Sequence, residues 1–258
     1  MFSGTLRILW DPPLSGYENM ARDEALFLVG EVPTLRFFLW CEPTLSLGRY
    51  QRTEEVDVAF LERAGIPFVR RPTGGRAILH QDEVTFSLFL PRGEASYSHR
   101  LLYAIVREAL QKSLADIGIA VDTPASQAPS LHSPACFSLT LPHELAVSGK
   151  KVAGVAQAQS IRGNLFEGSI LFTLDRHLFA SCFRERERVF QELCEGALGL
   201  REVRGDLTRE ELTAAMVTRF GELFEGTFPG AWEERELLEA EKLLCGKYSP
   251  LSPYHRKR

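Results

Sequence analysis

No CxxC pair, no long apolar run and no surplus of basic charge occurs in these 258 residues, and each absence closes off a class of function. Five cysteines, at 41, 136, 182, 194 and 245, are an odd number at spacings that suit neither a disulfide framework nor a structural zinc site. Reduced thiols are expected. Nothing approaches the ~20 consecutive apolar residues that span a bilayer. The opening Met1-Phe-Ser-Gly-Thr-Leu-Arg7 lacks the basic and then apolar regions of a secretory signal. A soluble, cytoplasmic chain with no membrane association is expected, with a monomer as the default assembly. A net charge of −4 argues against nucleic acid, because binding phosphates rests on clustered Lys and Arg. The basic run His255 to Arg258 is terminal and reads as a solvated chain end.

What is present is ordinary globular composition, 45% hydrophobic and 25% charged. Apolar spacing predicts helices over Tyr17 to Val29, Thr53 to Ala64 and Ser98 to Gly118, the last with a stripe from Leu102 to Ile117 at helical period. Thr208 with Glu211 is a capping box that opens a further helix through Phe224. Strand patterns cover Leu35 to Trp40, Phe68 to Arg71, Val84 to Leu90 and Leu165 to Phe172. Glu144 to Val147 and Val152 to Ala158 flank Ser148-Gly149 as a hairpin. With no internal repeat or low-complexity linker, the simplest reading is an α+β domain with its core over residues 1–202 and a C-terminal helical segment over 203–258 packed on the same domain.

Five features carry chemistry, and each has a plainer reading beside it. Thr73-Gly74-Gly75-Arg76 follows a strand, so it either brings backbone N–H groups close to a ligand or simply turns a hairpin. His80 is a proton acceptor near neutral pH or a hydrogen-bonded anchor of that turn. Arg70 and Arg71 fork a phosphate or carboxylate, or pair with nearby acids. Cys136 lies in a Ser-, Pro- and Ala-rich stretch unsuited to regular structure, and is a nucleophile or an inert thiol. The other four cysteines fall in predicted strands and helices, where inert filling is the expectation. Lys151 opens the second arm of the hairpin. It points to water, as strand lysines usually do, or faces the glycine turn and stabilises a developing oxyanion.

Taken in order, Asn19 to Ala25, Pro43 to Gly48 with Gln51, Arg70 to Ser87, and Gly149-Lys-Lys-Val-Ala-Gly154-Val-Ala-Gln157 resemble the lipoate-assembly acyltransferase and ligase family, to which biotin ligases are more distantly related. The resemblance covers most of the chain and implies that family's fold, mixed and antiparallel sheets flanked by helices. It places the family's lysine at Lys151 rather than Lys150. Ser133-Pro-Ala-Cys136-Phe137, ahead of the lysine motif, resembles the cysteine-dependent octanoyltransferase branch of Gram-positive and related bacteria.

That resemblance implies attack by Cys136 on the octanoyl thioester of acyl carrier protein. The acyl group would then pass to a lysine of a lipoyl-domain protein, such as the glycine-cleavage H protein or the E2 subunit of a 2-oxoacid dehydrogenase. Lys151 would orient the carbonyl, Arg71, Thr73, Gly74, Gly75 and Arg76 would line the acyl site with Gly154 and Ala156, and His80 would lie near the reacting carbonyl. No metal, ATP or organic cofactor is implied. The alternative within the family is an ATP-dependent lipoate ligase, with Arg70, Arg71 and Lys151 on an acyl-adenylate. The chain departs from the family pattern at Glu167, where members often carry His, and in the tail after Tyr248, which is expected to affect only the chain end.

Overall fold

The computed structural model of the protein describes residues 2–93, 97–122, 133–138 and 144–255. In chain order the first half comprises β1 (Leu6–Leu14), α1 (Gly16–Val29), β2 (Thr34–Trp40), β3 (Thr44–Leu47), α2 (Val58–Ala64), β4 (Phe68–Arg70), β5 (Ile78–His80), β6 (Glu83–Pro91) and α3 (His99–Asp116). The second half comprises β7 (Leu145–Val147), β8 (Lys150–Gln159), β9 (Gly163–Leu171), α4 (Arg176–Ser181), α5 (Arg186–Gly196), α6 (Arg209–Gly221), β10 (Thr227–Pro229) and α7 (Glu234–Cys245).

Seven strands form one sheet in the order β10-β1-β2-β6-β9-β8-β7, and three form a second in the order β4-β3-β5. The large sheet is mixed. β1 runs parallel to β2 because α1 carries the chain back between them, whereas β6, β9, β8 and β7 follow as antiparallel neighbours. β10 pairs β1 only along Leu6–Ile8. Beyond that point no described strand pairs this edge of β1, and there Pro12 and Pro13, which lack a donor for the ladder, are tolerated at a shift of register between Trp10 and Pro13.

Period-two alternation sorts the buried central strands onto two faces. Val84, Phe86, Leu88 and Leu90 of β6, with Phe166 and Ile170 of β9, join the core beneath α3 and α6. The intervening positions face α1: Phe89 and Leu165 pack with Leu26 and Phe27, and Ser87 donates to Asp23. Glu167 stands on this second face, between Leu165 and Ser169. A second core, beneath the small sheet, gathers Leu45, Leu47, Val69's neighbour Phe68, and Ile78 with Phe137, Phe179 and Phe183.

Local chemistry accounts for most element ends. Ser15 and Glu18 form a capping box on α1, Ser98 caps α3, and Thr208 with Glu211 closes the box expected on α6. The hairpin turn is Ser148-Gly149, both at positive φ (51° and 76°), the backbone that matches strand twist. The helix expected over Thr53 to Ala64 is instead a 3₁₀ turn, Thr53–Glu55, followed by α2. The Asp57 side chain accepts from the Phe60 N–H and so restarts the helix at Val58.

The segment after residue 202 is not helical throughout. It adds β10 to the large sheet, and α7 packs on α1, with buried Glu236 forking Arg7 of β1 at 2.6 and 3.0 Å. The tail reaches further than expected. Arg70 Nε donates to the Tyr254 carbonyl at 3.1 Å, and the Arg70 N–H to His255 Nδ1 at 3.3 Å, so the turn after Tyr248 packs beside the glycine loop. The rest of the expected basic run, residues 256–258, and His132 lie outside the described residues. Among the described residues, no helix is long and apolar enough to cross a membrane.

Candidate functional site

Ala77, at the far end of the glycine turn, joins that turn to the cysteine. Its N–H donates to the Pro134 carbonyl at 3.0 Å and its carbonyl accepts the Cys136 N–H at 2.8 Å, a short parallel bridge. Gln51 also donates to the Pro134 carbonyl, at 2.8 Å. Phe137 is fully buried in the core beneath the small sheet, so the 3₁₀ turn Cys136–Ser138 is pinned by its aromatic neighbour while the Cys136 thiol stays half-buried.

Lys151 comes to the same place from β8. The chain emerges from the Ser148-Gly149 turn with successive side chains on opposite faces, so Lys150 and Lys151 diverge. Lys150 donates to the Cys194 carbonyl at 2.7 Å. Lys151, 1% exposed, donates to Cys136 Sγ at 3.2 Å, to the Cys136 carbonyl at 3.1 Å and to Glu144 Oε1 at 2.5 Å, with its ammonium 5.3 Å from the Phe137 ring centroid. Burial pulls its pKa down, but the neighbouring Cys136 and Glu144 outweigh that and hold it above the usual lysine value. The amine is therefore a fixed cation next to sulfur, not a base.

The two groups line a cavity of about 350 Å³, within the size range of small-molecule sites. Its walls are largely apolar: Met20 of α1, Phe38 and Trp40 of β2, Ile78 of β5, Tyr103 of α3 and Val155 of β8. Gly154 lies beside the thiol on the cavity wall, and a Cβ built there would lie 3.4 Å from Cys136 Sγ. An acyl chain with its carbonyl at the sulfur fits this combination of an apolar wall and one polar end.

Of the residues singled out in the sequence, Cys136, Lys151, Arg71, Gly75, Arg76, His80, Gly154 and Ala156 line the cavity. Thr73 and Gly74 stand behind it. Arg71 NH2 donates to the Gly74 carbonyl at 2.6 Å and to the Arg76 carbonyl at 2.9 Å, and NH1 donates to the Ser46 carbonyl at 3.1 Å. Arg70 NH1 donates to the Gly48 and Gln51 carbonyls at 2.8 and 2.6 Å. Both guanidinium groups thus bind main chain and brace the loops on either side of the glycine turn. His80 is held at Nδ1 by Glu83 (2.5 Å) and at Nε2 by Ser46 Oγ (2.8 Å), with its ring stacked on Trp40 at 3.9 Å.

Sequence reasoning does not reach Glu144, which precedes β7, or Tyr103 and the rest of the apolar wall, which come from five separate elements and carry no shared motif. Glu167 stands out in the sequence only as a departure from the family pattern. It lines the cavity, and its Oε2 accepts from the Thr73 N–H at 3.3 Å and from the Thr73 hydroxyl. Burial first, and the nearby Asp23 carboxylate second, push its pKa up to about 8. Among the other cysteines, Cys182 is buried and burial pushes its thiol up to about 12. Cys41 and Cys245 are exposed, Cys41 in the turn after β2 rather than within a strand.

The glycine loop packs so closely that a methyl group is decisive at one point. A Cβ on Gly48 would collide with the Gly75 carbonyl oxygen, which is main chain and has little freedom to yield. Gly48→Ala is expected to destabilise the fold by about 1–3 kcal/mol and to lower activity by displacing Gly75 from the cavity wall. Thermal melts alongside initial rates check both effects.

Comparison with known proteins gives a consistent picture. The family model described as the lipoyl protein ligase A/B catalytic domain matches residues 15–221. An octanoyltransferase LipM of Exiguobacterium sp. is 34% identical over 96% of this chain and 97% of its own length. An octanoyltransferase LipM of Kyrpidia tusciae is 37% identical over 93% of this chain and 95% of its own. Among solved structures, a bi-partite lipoate protein ligase of Thermoplasma acidophilum superposes with a TM-score of 0.80 at 22% identity, covering 100% of this chain and 98% of that one. This last likeness concerns the fold: mixed sheets flanked by helices, as expected from the sequence.

Proposed function

This chain belongs to the lipoyl protein ligase A/B catalytic domain family, and from that premise we propose that it is an octanoyltransferase of lipoate biosynthesis that carries the acyl group on Cys136. Octanoyl-acyl carrier protein is the donor, and a lysine of a lipoyl-domain protein is the acceptor. The work is done in the cytoplasm. The observation that carries the reading is the Lys151 ammonium 3.2 Å from Cys136 Sγ on the wall of an apolar cavity.

In the first half-reaction the Cys136 sulfur attacks the thioester carbonyl. Its new C–S bond replaces the carrier's, and the carrier leaves as a thiol. Thiolate is the attacking form, and a buried ammonium in contact with the sulfur supplies its counter-charge. The same ammonium stands where charge develops on the carbonyl oxygen, and in a water-poor cavity such a fixed donor acts strongly. Exchanging one thioester for another leaves the acyl group activated. In the second half-reaction the acceptor's amine forms the amide, the C–S bond breaks, and the thiol is restored.

The ligase alternative loses its expected phosphate fork, since Arg70 and Arg71 donate to the main chain of the loops they brace. Incubating the purified protein with octanoyl-acyl carrier protein and a lipoyl domain, without ATP, tests the reading. Octanoylated acceptor is expected. A product that requires ATP and survives Cys136→Ala contradicts it.

A further inference from the structure

Where Glu167 lines the cavity, a second carboxyl group stands behind it. Asp23 of α1 is fully buried, and its Oδ1 accepts from Arg36 NH1 and from Ser87 Oγ, both at 2.6 Å. Glu167 of β9 is nearly as buried, and its Oε2 accepts from Thr73. The remaining oxygens, Asp23 Oδ2 and Glu167 Oε1, are buried with no protein donor, and the register that sets Glu167 opposite Ser87, the hydroxyl donor to Asp23, brings the two carboxyls together. Two buried acceptors facing one another are satisfied by one proton between them.

We propose that Glu167 and Asp23 share a single proton and that Glu167, in its protonated form, is a positioning residue that sets the glycine turn for the acyl donor. The assignment deepens the octanoyltransferase reading and rests on it for the donor. Arg36 is already the counter-charge of Asp23, which leaves the proton on Glu167: Oε1–H donates to Asp23, and Oε2 accepts from the N–H and hydroxyl of Thr73. A protonated Glu167 also presents an uncharged group to a cavity that takes an apolar chain. Once it ionises, a second negative charge stands against Asp23 in a buried site, and Glu167 and Asp23 repel.

The path from there to the reaction is short. Thr73 follows Glu167, and the Thr73 carbonyl accepts the Arg49 N–H at 2.8 Å. Two residues on, Gln51 holds the Pro134 carbonyl beside Cys136. Gly75 and Arg76, on the cavity wall, lie two and three residues beyond Thr73. Four charged or titratable groups among the described residues face the pair. Arg71 approaches from the glycine turn, Arg36 from β2, and Tyr248 and Tyr254 from the C-terminal turn, the last two with pKa values raised by burial first and by Glu24 and Glu167 among other neighbours. Lys247 is paired with Glu24 at 2.6 Å. Cys136 and Glu167 both act on Arg71, and Cys136 is unchanged in the variant below.

Glu167→Gln keeps the hydrogen bonds and removes the titration, and two readouts separate the parts of the proposal. The first is stability. A carboxyl raised from 4.5 to about 8 binds its proton more tightly folded than unfolded, so its contribution is full below 4.5 and is lost as pH rises through about 8. The melting temperature of the native protein is expected to fall relative to E167Q across that window. The second is the rate of acyl-enzyme formation. Above pH 8 the ratio of native to E167Q kcat/KM falls by up to about tenfold per pH unit, carried by KM, while the ratio at saturating donor stays flat.

A stability difference independent of pH overturns the shared proton, whatever reaction the enzyme catalyses. A sloping stability difference with a constant rate ratio overturns the positioning role and leaves a purely structural pair. Absence of any acyl-enzyme in the native protein counts against the octanoyltransferase reading, and the stability arm still decides the proton. Should E167Q fail to fold, infrared spectra of the native protein decide it: a protonated-carboxyl band at neutral pH that vanishes at alkaline pH is expected, and its absence at neutral pH overturns the proposal.

Discussion

Replacing Cys136 with alanine is expected to lower octanoyl transfer by more than about 10⁴-fold and to leave no acyl-enzyme to trap. A nucleophile that splits one transfer into two steps has no substitute once removed, because the amine of the acceptor would have to meet the carrier's thioester directly. The fold is expected to survive. The thiol is half-buried and its turn is held by the Cys136 N–H bond to Ala77 and by buried Phe137, neither of which needs the sulfur. Unchanged melting with abolished transfer, measured by acceptor mass, is the outcome that separates a nucleophile from a packing residue.

Lys151→Met is expected to lower the rate of acyl-enzyme formation by about 10²- to 10³-fold, mainly in kcat. Methionine fills the same volume, so the loss reports the charge. In the proposed mechanism the ammonium supports the sulfur before attack and the oxyanion after it, and the second contribution exists only in the transition state. Lys151→Arg restores only part of the rate, because a planar fork cannot donate from one nitrogen to Sγ, the Cys136 carbonyl and Glu144 together. Single-turnover acylation with octanoyl-carrier protein, at several donor concentrations, separates the kcat and KM effects. A lysine with a merely structural role would lower melting temperature and leave the acylation rate of the folded fraction unchanged.

What the chain declares about itself is uneven, and the reason is distance along the sequence. Caps and turns are local, so Ser148-Gly149, the Thr208 and Glu211 box and the long α3 stripe can be read directly. The Asp57 cap is equally local, and it interrupts a continuous apolar pattern that periodicity alone reads as one helix. The cysteine and lysine are legible as chemistry, but fifteen residues of sequence do not say that they touch. Contact depends on the bridge between Ala77 and Ala135 and on the parity of β8, which turns Lys151 inward and Lys150 away.

Charged side chains are the least legible part. Arg36, Arg70, Arg71 and Lys151 are all buried, against the usual tendency of their types, and each is compensated by a partner far away in sequence. Arg70 is tied to the chain's end at Tyr254 and His255, so a tail that looks like a solvated terminus braces the loop beside the site. Glu167 stands out in the sequence as an unexpected residue. Only Asp23, brought against it by α1 from the other end of the domain's sequence order, gives that position a physical meaning.

The central claim is that the acyl group rests on the sulfur at position 136 while it is between carriers. Incubation with octanoyl-acyl carrier protein in the absence of acceptor, acid quenching and peptide mapping by mass spectrometry test it most directly. One octanoyl increment on the peptide that contains Cys136, labile to hydroxylamine and discharged on addition of a lipoyl domain, is the predicted result. An unmodified Cys136 peptide, or an increment on another residue that is equally competent for discharge, contradicts the account.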